Sequence, residues 1–148
     1  MSLGHFKLIN IVFEMGADAD AKMKAGLTTM HCATQTYHGL LSMLLLKKKY
    51  DQSVDAKDAK NATPLHFACM HKETKNVEFL ISNKCQLDIQ DVQGHTPLHI
   101  CLIRLLQDPD SFDEYKRIIK TLLFAGASRS LRTVKGLTPI EMLENHED

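Results

Sequence analysis

Thr63-Pro64-Leu65-His66 is the stretch that decides the fold of this 148-residue chain, because the chain repeats it. The same four residues return as Thr96-Pro97-Leu98-His99, and weaker copies stand at Thr28-Thr29-Met30-His31 and Thr138-Pro139-Ile140-Glu141. The intervals between the four threonines are 35, 33 and 42 residues. A motif that recurs near a 33-residue period indicates an array of structural repeats.

Each residue of the motif favours the start of a helix. The threonine is a good N-cap, because its hydroxyl accepts from a backbone N–H of the first turn that has no partner within the helix. Proline suits the first helical position, where its missing N–H costs nothing and its fixed φ fits the helix. Two residues before each threonine stands a residue that tolerates the positive φ of a tight turn: Gly26, Asn61, Gly94 and Gly136. Each copy therefore predicts a tight turn followed by a helix.

The full pattern resembles the ankyrin repeat, in which a β-turn is followed by two antiparallel helices. The best match is the stretch from Asp91 to Cys101, and the stretch from Asp58 to Ala68 matches nearly as well. The family's second-helix pattern, a Gly-His start and a Gly-Ala-Asp end, occurs as Gly4-His5 through Gly16-Ala17-Asp18. The resemblance covers almost the whole chain and implies an all-α solenoid of helix-turn-helix units with β-turn tips.

The repeat period divides this single domain into five units, which we number 1 to 5. A half repeat at each end and three full repeats between them are residues 1–20, 21–55, 56–88, 89–130 and 131–148. The 42-residue interval predicts extra residues in unit 4, placed between its two helices within 105–114. In the ankyrin family that turn lies away from the β-turn tips, so we expect the insertion to enlarge one edge without blocking the tips. The half repeat at the start favours a domain cut from a longer chain over one in which a partner covers Phe6 and its neighbours, whereas the last unit could be an end cap or a cut edge.

Composition and charge argue against several classes of partner. Eighteen basic and eighteen acidic side chains cancel, so the overall charge offers no attraction to nucleic acid or to an anionic membrane. No apolar run approaches the roughly 18 residues that a membrane helix needs, so we expect no membrane insertion by this chain. The cysteines form no C-x-x-C pair, and we interpret them as reduced, partly buried thiols. This interpretation favours a cytoplasmic location, with a nuclear one as the alternative.

Motifs for catalysis, cofactor binding and metal binding are missing from the sequence, which has no nucleophile elbow, P-loop, zincin motif or Gly-rich dinucleotide loop. His31, His66 and His99 occupy the repeat's own histidine position. There the ankyrin resemblance implies hydrogen bonds that brace neighbouring turns, and we favour this role over metal binding. Cys85 could have a lowered pKa because Lys84 stands beside it, but a quiet structural cysteine is the favoured interpretation. We therefore expect no enzyme, no cofactor and no metal.

The ankyrin resemblance implies that partners bind along the turn tips and the exposed side of the first helices. Eighteen positions map to this face, and they hold four basic residues, two histidines, several apolar groups and no Asp or Glu. Exposed apolar side chains beside Lys and Arg are typical of an interface core with an ionic rim, whereas scattered surface residues are the alternative interpretation. The candidate partner-binding residues are Lys24, Leu27, Gln35, Lys60, Met70, His71, Val92, Gln93, His95, Ile103, Arg104, Val134 and Lys135.

The function that we expect is non-catalytic protein–protein recognition through the concave face of a monomer. The expected partner is an extended peptide or a folded surface that carries acidic and apolar groups. The alternative is a regulatory or substrate-recruiting ankyrin domain of a larger enzyme, such as a kinase or a protein S-acyltransferase, whose catalytic part lies outside this chain. A third interpretation is a purely structural spacer.

Overall fold

A computed structural model describes residues 11, 14–18, 21–35 and 39–144 of the chain. These residues form helices joined by turns, and no β-strand occurs among them. The helices are α1 (Thr29–Thr34), α2 (Gly39–Tyr50), α3 (Pro64–Met70), α4 (Thr74–Ser82), α5 (Pro97–Gln107), α6 (Phe112–Phe124) and α7 (Pro139–Glu144), with 3-10 turns at Lys24–Gly26 and Pro109–Ser111. In these ranges no helix is long and apolar enough to cross a membrane. Most of the second-helix pattern of unit 1 and the last four residues of unit 5 lie outside the described residues.

The helices stack in two layers. The first helices of the repeats, α1, α3, α5 and α7, pack against one another in chain order, and the second helices α2, α4 and α6 do the same. Within units 2, 3 and 4 the two helices of the unit also pack together. One cluster of buried side chains runs from Met30 in unit 2 to Ala127 in unit 4. The core therefore continues from one unit to the next, and the predicted all-α ankyrin solenoid is confirmed.

A tight turn precedes each first helix, and we call these turns the tips. In unit 4 the Asp91 N–H donates to the His95 carbonyl at 2.9 Å, which closes the turn. Equivalent bonds close the turns of units 3 and 5. The four residues predicted to take a positive φ do so: Gly26 at 73°, Asn61 at 61°, Gly94 at 78° and Gly136 at 80°.

Neighbouring tips are joined by backbone hydrogen bonds, one at each junction. The Val92 N–H donates to the Lys60 carbonyl at 2.9 Å, and the Val134 N–H donates to the Gln93 carbonyl at the same distance. The tip of unit 3 is joined to that of unit 2 by a bond from the Ala59 N–H. The tips therefore form a ladder that fixes the spacing of the units.

The repeated histidines brace one unit against the next. In unit 3, Nδ1 of His66 accepts from the Thr63 N–H at 3.1 Å, so the neutral ring carries its proton on Nε2. That nitrogen donates to the His95 carbonyl of unit 4 at 3.0 Å. His31 and His99 make the corresponding bonds in their units. Burial lowers the pKa of all three rings, because a charged imidazolium would lose its hydration in the core.

The extra residues of unit 4 are largely helical. The first helix α5 has 11 residues where α3 of unit 3 has 7, and the second helix α6 has 13 where α4 has 9. Only Asp108 and the 3-10 turn that follows it separate α5 from α6. The lengthening of α5 adds about one helical turn, or about 6 Å, at the end away from the tips.

Candidate functional site

An open groove of about 550 Å³ lies between the tips of units 2, 3 and 4 and the first helices of units 3 and 4. We call it the tip groove. Phe67 and Met70 of α3 and Ile100 and Ile103 of α5 contribute apolar side chains to its lining, and all four are half-buried. The members of each pair are three positions apart in the sequence, a spacing that places both on one face of a helix. The tip groove therefore has an apolar floor built by two neighbouring first helices.

The structure brings many of the sequence-predicted site residues together in the tip groove. Those that line it are Leu27, Lys60, Met70, Val92, Gln93, His95, Ile103 and Arg104. Val134 and Lys135 line an adjoining hollow of about 350 Å³. This hollow shares the tip residues Val92, Gln93 and His95 with the tip groove, so the two spaces meet at the tip of unit 4.

Three of the predicted residues line neither space. Lys24 is exposed in the first tip. Gln35 follows α1, and its side-chain amide donates to the His31 carbonyl at 3.3 Å. His71 is exposed directly after α3. The pKa of His71 is lowered, first by partial burial and then by the positive charge of Arg104, which places this histidine beside the Arg104 end of the tip groove.

Sequence reasoning missed several residues that line the tip groove. Phe67 and Ile100 stand four residues after their capping threonines, one turn before Met70 and Ile103 on the same helix face. The helical spacing of three and four residues could have revealed them. Gln107 was missed because that residue was assigned to a turn between helices. The acidic residues that open the tip turns, Asp58 and Asp91, were missed as well.

Asp58 and Asp91 use their carboxylates to shape the tips. Oδ1 of Asp58 accepts from the backbone N–H groups of residues 60 and 62, each at 2.8 Å. Oδ1 of Asp91 accepts from those of residues 93 and 95, again at 2.8 Å. By contrast, no ion pair involves Lys60 or Arg104 within the part of the chain that the structure describes. The tip groove thus combines an apolar floor with two cations that have no ion-pair partner among the described residues.

Cys69 and Cys85 are buried thiols whose raised pKa values keep them protonated. Burial raises the pKa of Cys85 to about 12, and the nearby carboxylate of Asp55 adds to the effect. The hypothesis of a lowered pKa beside Lys84 is therefore wrong, because burial outweighs a neighbouring exposed cation. Burial also raises the pKa of Cys69. Among the described residues, no group of three or more His, Cys, Asp or Glu side chains is placed to hold a metal ion.

Comparisons of the sequence with a family model and with known proteins all point to the same family. The family model described as ankyrin repeats in three copies matches residues 1–91 and 43–133. Inversin of Canis lupus familiaris is 26% identical over 140 residues, which are 93% of this chain and 12% of that protein. The SH3 and multiple ankyrin repeat domains protein 2 of Homo sapiens is 28% identical over 135 residues, which are 90% of this chain and 7% of the relative.

A third relative is the target of rapamycin complex 2 subunit AVO2 of Saccharomyces cerevisiae, 28% identical over 101 residues, which are 67% of this chain and 24% of that subunit. This chain therefore spans less than a quarter of the length of each of the three relatives. Ankyrin repeats are a general protein–protein interaction module and are typically non-catalytic. The family model, the stacked helix pairs and the histidine braces agree, and the chain belongs to the ankyrin repeat family.

Proposed function

We propose that this chain is a non-catalytic recognition module that binds a protein or peptide partner through the tip groove, on the concave face expected of the family. The observation that carries the proposal is the make-up of the groove. Four half-buried apolar side chains line its floor, and Lys60 and Arg104 lie at its borders without an ion-pair partner among the described residues. A partner with apolar and acidic groups would complement both features.

The mechanism follows from the rigidity of the scaffold. Backbone bonds between tips and histidine bonds between units hold the groove in shape before a partner arrives. Binding to a preformed groove orders few groups of the module, so less of the interaction free energy is lost. Apolar side chains of the partner would pack against Met70 and Ile103 and so be removed from water. This burial contributes about 25 cal/mol for each Å² of apolar surface removed from water.

The alternative function is a regulatory or substrate-recruiting domain within a larger enzyme. The lengths of the relatives support keeping this alternative, because each is at least four times as long as the segment that it shares with this chain. The name of the human relative includes an SH3 domain beside its ankyrin repeats, and the yeast relative is named as a subunit of a complex. The full-length reading frame separates the two functions, since a catalytic domain in it would favour the alternative.

We propose a cytoplasmic location, with the nucleus as the alternative. The support is that Cys32, Cys69, Cys85 and Cys101 are all free thiols in the structure, as is usual in reducing compartments. Fluorescence microscopy of the tagged protein tests this location, and secretion of the protein would contradict it.

The test of the recognition function is a pull-down from cell lysate with three proteins. They are the parent, a groove variant with Lys60→Glu, Met70→Ala and Arg104→Glu, and a control variant with Lys75→Glu, Lys120→Glu and Leu123→Ala on exposed second-helix positions. Each variant carries two charge reversals and one truncation, so their solubility and net charge are matched. We expect a protein that the parent and the control retain and the groove variant loses.

Equal retention by all three proteins would contradict the tip groove as the interface. Circular dichroism of the three proteins must show the same helicity, because an unfolded variant would lose any partner. A partner that binds the groove variant and not the control would move the interface to the second helices.

A further inference from the structure

Helix α5 reaches beyond its neighbour in the stack. Met70 and Ile103 each stand seven residues after the capping threonine of their unit. Helix α3 ends at Met70, but α5 continues for four more residues, Arg104 to Gln107. We call these four residues the α5 extension. Both Arg104 and Gln107 line the tip groove, so the α5 extension borders the groove at the end away from the tips.

A set of side chains fastens the segment that follows the α5 extension to the end of α3. Nζ of Lys72, two residues after α3, donates to Oδ2 of Asp108 at 3.0 Å and to Oγ of Ser111 at 2.6 Å. The Ser111 hydroxyl donates to the same Asp108 oxygen at 2.7 Å, and Ser111 is buried. The Tyr115 hydroxyl donates to the Met70 carbonyl at 3.5 Å. These four side chains, which we call the clasp, join the segment directly after the α5 extension to the end of α3, beside the groove floor.

Arg104 is the charged group that the α5 extension presents to the groove. Its guanidinium donates one hydrogen bond to Oε1 of Gln107 at 3.1 Å, which orients the group and leaves most of its N–H donors for a ligand. The lowered pKa of the adjacent His71 keeps that ring neutral at pH 7, so Arg104 is the cation at this end. The acidic residues of the following segment, Asp110, Asp113 and Glu114, do not line the groove.

We propose that the α5 extension is a specificity element, in which Arg104 pairs with the side-chain carboxylate of an Asp or Glu in an extended partner segment. This inference rests on the proposed function, because it assigns the chemistry of the partner at the same groove. An aliphatic or aromatic side chain of the same segment lies over Met70 and Ile103. Since alternate side chains of an extended strand point to the same side and lie about 7 Å apart, one residue separates the apolar side chain from the acid.

The partner's carboxylate binds at the Arg104 end of the tip groove and not at the tips. Near the tips, Asp58 and Asp91 bring negative charge to the lining of the groove, although their Oδ1 atoms are bound to backbone N–H groups. The negative charges of Asp58 and Asp91 repel a partner's carboxylate near the tips. A guanidinium also binds a carboxylate through two parallel hydrogen bonds, which a lysine such as Lys60 cannot do.

The experiment selects binders from a phage-displayed library of random 12-residue peptides and then measures synthetic peptides by fluorescence polarisation. The peptides carry a C-terminal amide, so any carboxylate comes from a side chain. We expect enrichment of peptides with Asp or Glu two positions from a large apolar residue. Arg104→Met, which keeps the apolar stem, should weaken such a peptide about tenfold. The control Arg129→Met, outside the groove, should leave binding unchanged.

A double-mutant cycle decides whether the pair is direct. Replacing the acid of the peptide by its amide should weaken binding to the parent about tenfold and leave binding to Arg104→Met unchanged. Enriched peptides without an acid, or an equal loss with both proteins, would overturn the role of the α5 extension and leave the recognition function standing. If the parent enriches no peptides over a blank surface, both the inference and the peptide-binding form of the proposed function fail.

Discussion

Units 3 and 4 share the same tip turn, the same capping threonine and the same histidine brace, yet each helix of unit 4 is four residues longer than its counterpart in unit 3. The difference is confined to the end of the unit away from the tips. At the tips, each unit is bonded to both neighbours, so a change in length would break the ladder. At the far end, the helices meet only a short connection, and extra turns can project without disturbing the stack. Constraint and variation therefore lie at opposite ends of the same repeat.

The largest expected effect comes from a substitution at Gly94, in the tip of unit 4. A Cβ atom there would lie 2.7 Å from the Val134 nitrogen and 2.8 Å from Cα of Thr133, and the residue has a φ of +78°. Gly94→Ala should lower the free energy of unfolding by about 2–5 kcal/mol, because the unfavourable φ costs about 1–2 kcal/mol and the backbone clash costs about 1–3 kcal/mol. Urea denaturation followed by circular dichroism measures the loss.

Gly136 is the matched control for Gly94. Its φ of +80° is nearly the same, but among the described residues no atom beyond its two chain neighbours lies within 4 Å of an added Cβ. Gly136→Ala should therefore cost only the backbone term of about 1 kcal/mol. Equal losses at the two glycines would contradict the close approach of the tips of units 4 and 5.

A smaller loss is expected when the brace between units 3 and 4 is removed. His66→Ala leaves the buried Thr63 N–H without its ring partner, and an unsatisfied buried group costs about 1–3 kcal/mol. The His95 carbonyl loses the ring as well but still accepts from the Asp91 N–H, so the free energy of unfolding should fall by about 1–3 kcal/mol. His71→Ala, at an exposed position, should change it by less than about 0.5 kcal/mol. A similar loss in both variants would contradict the bracing role.

The histidine braces and the clasp should change the stability of the protein over different ranges of pH. The rings of His31, His66 and His99 have lowered pKa values in the folded state, so the unfolded chain takes up more protons once the pH falls below about 6.5. Stability should therefore fall between pH 7 and pH 5. The pKa of Asp108 in the clasp is also lowered, by Ser111 and Lys72, but its contribution is lost only at pH values below about 4.

Urea midpoints measured at pH 7.5 and pH 5.5 check this prediction, and His66→Ala should show a smaller difference between them than the parent. A midpoint that rises on acidification would contradict the neutral, buried state of the braces. His71, whose pKa is lowered as well, contributes in the same direction, so His71→Ala is the second variant to compare.

The tip end could be predicted from the sequence because its chemistry is local. Thr, Pro, Gly and His at fixed spacing specify a cap, a helix start, a positive φ and a brace, and the structure contains all four. The far end could not, because a repeat interval counts extra residues without saying whether they form a loop or lengthen a helix. Leu105 packs against the core as part of α5, although the interval alone assigned it to the connection.

In the candidate site, too, some residues could be placed from the sequence and others could not. Met70 and Ile103 could be placed in the tip groove from their positions in the repeat, and the same helix-face argument extends to Phe67 and Ile100. The presence of Gln107 in the lining depends on the length of α5, which repeat counting does not supply. The fastening of α5 depends on side chains that are distant in sequence, such as Lys72 and Ser111, and no spacing rule joins them.

The smallest expected effect tests the clasp by removing its ion pair. The side chains of Lys72 and Asp108 are 40% and 42% exposed, so water and salt screen their attraction. Lys72→Met, Asp108→Asn and the double variant should shift the urea midpoint less than His66→Ala does. The coupling between the two single changes should shrink in 1 M NaCl. If the clasp variants instead destabilise the protein as much as Gly94→Ala does, the far end is as constrained as the tips. The difference between units 3 and 4 would then require a cause other than freedom to vary.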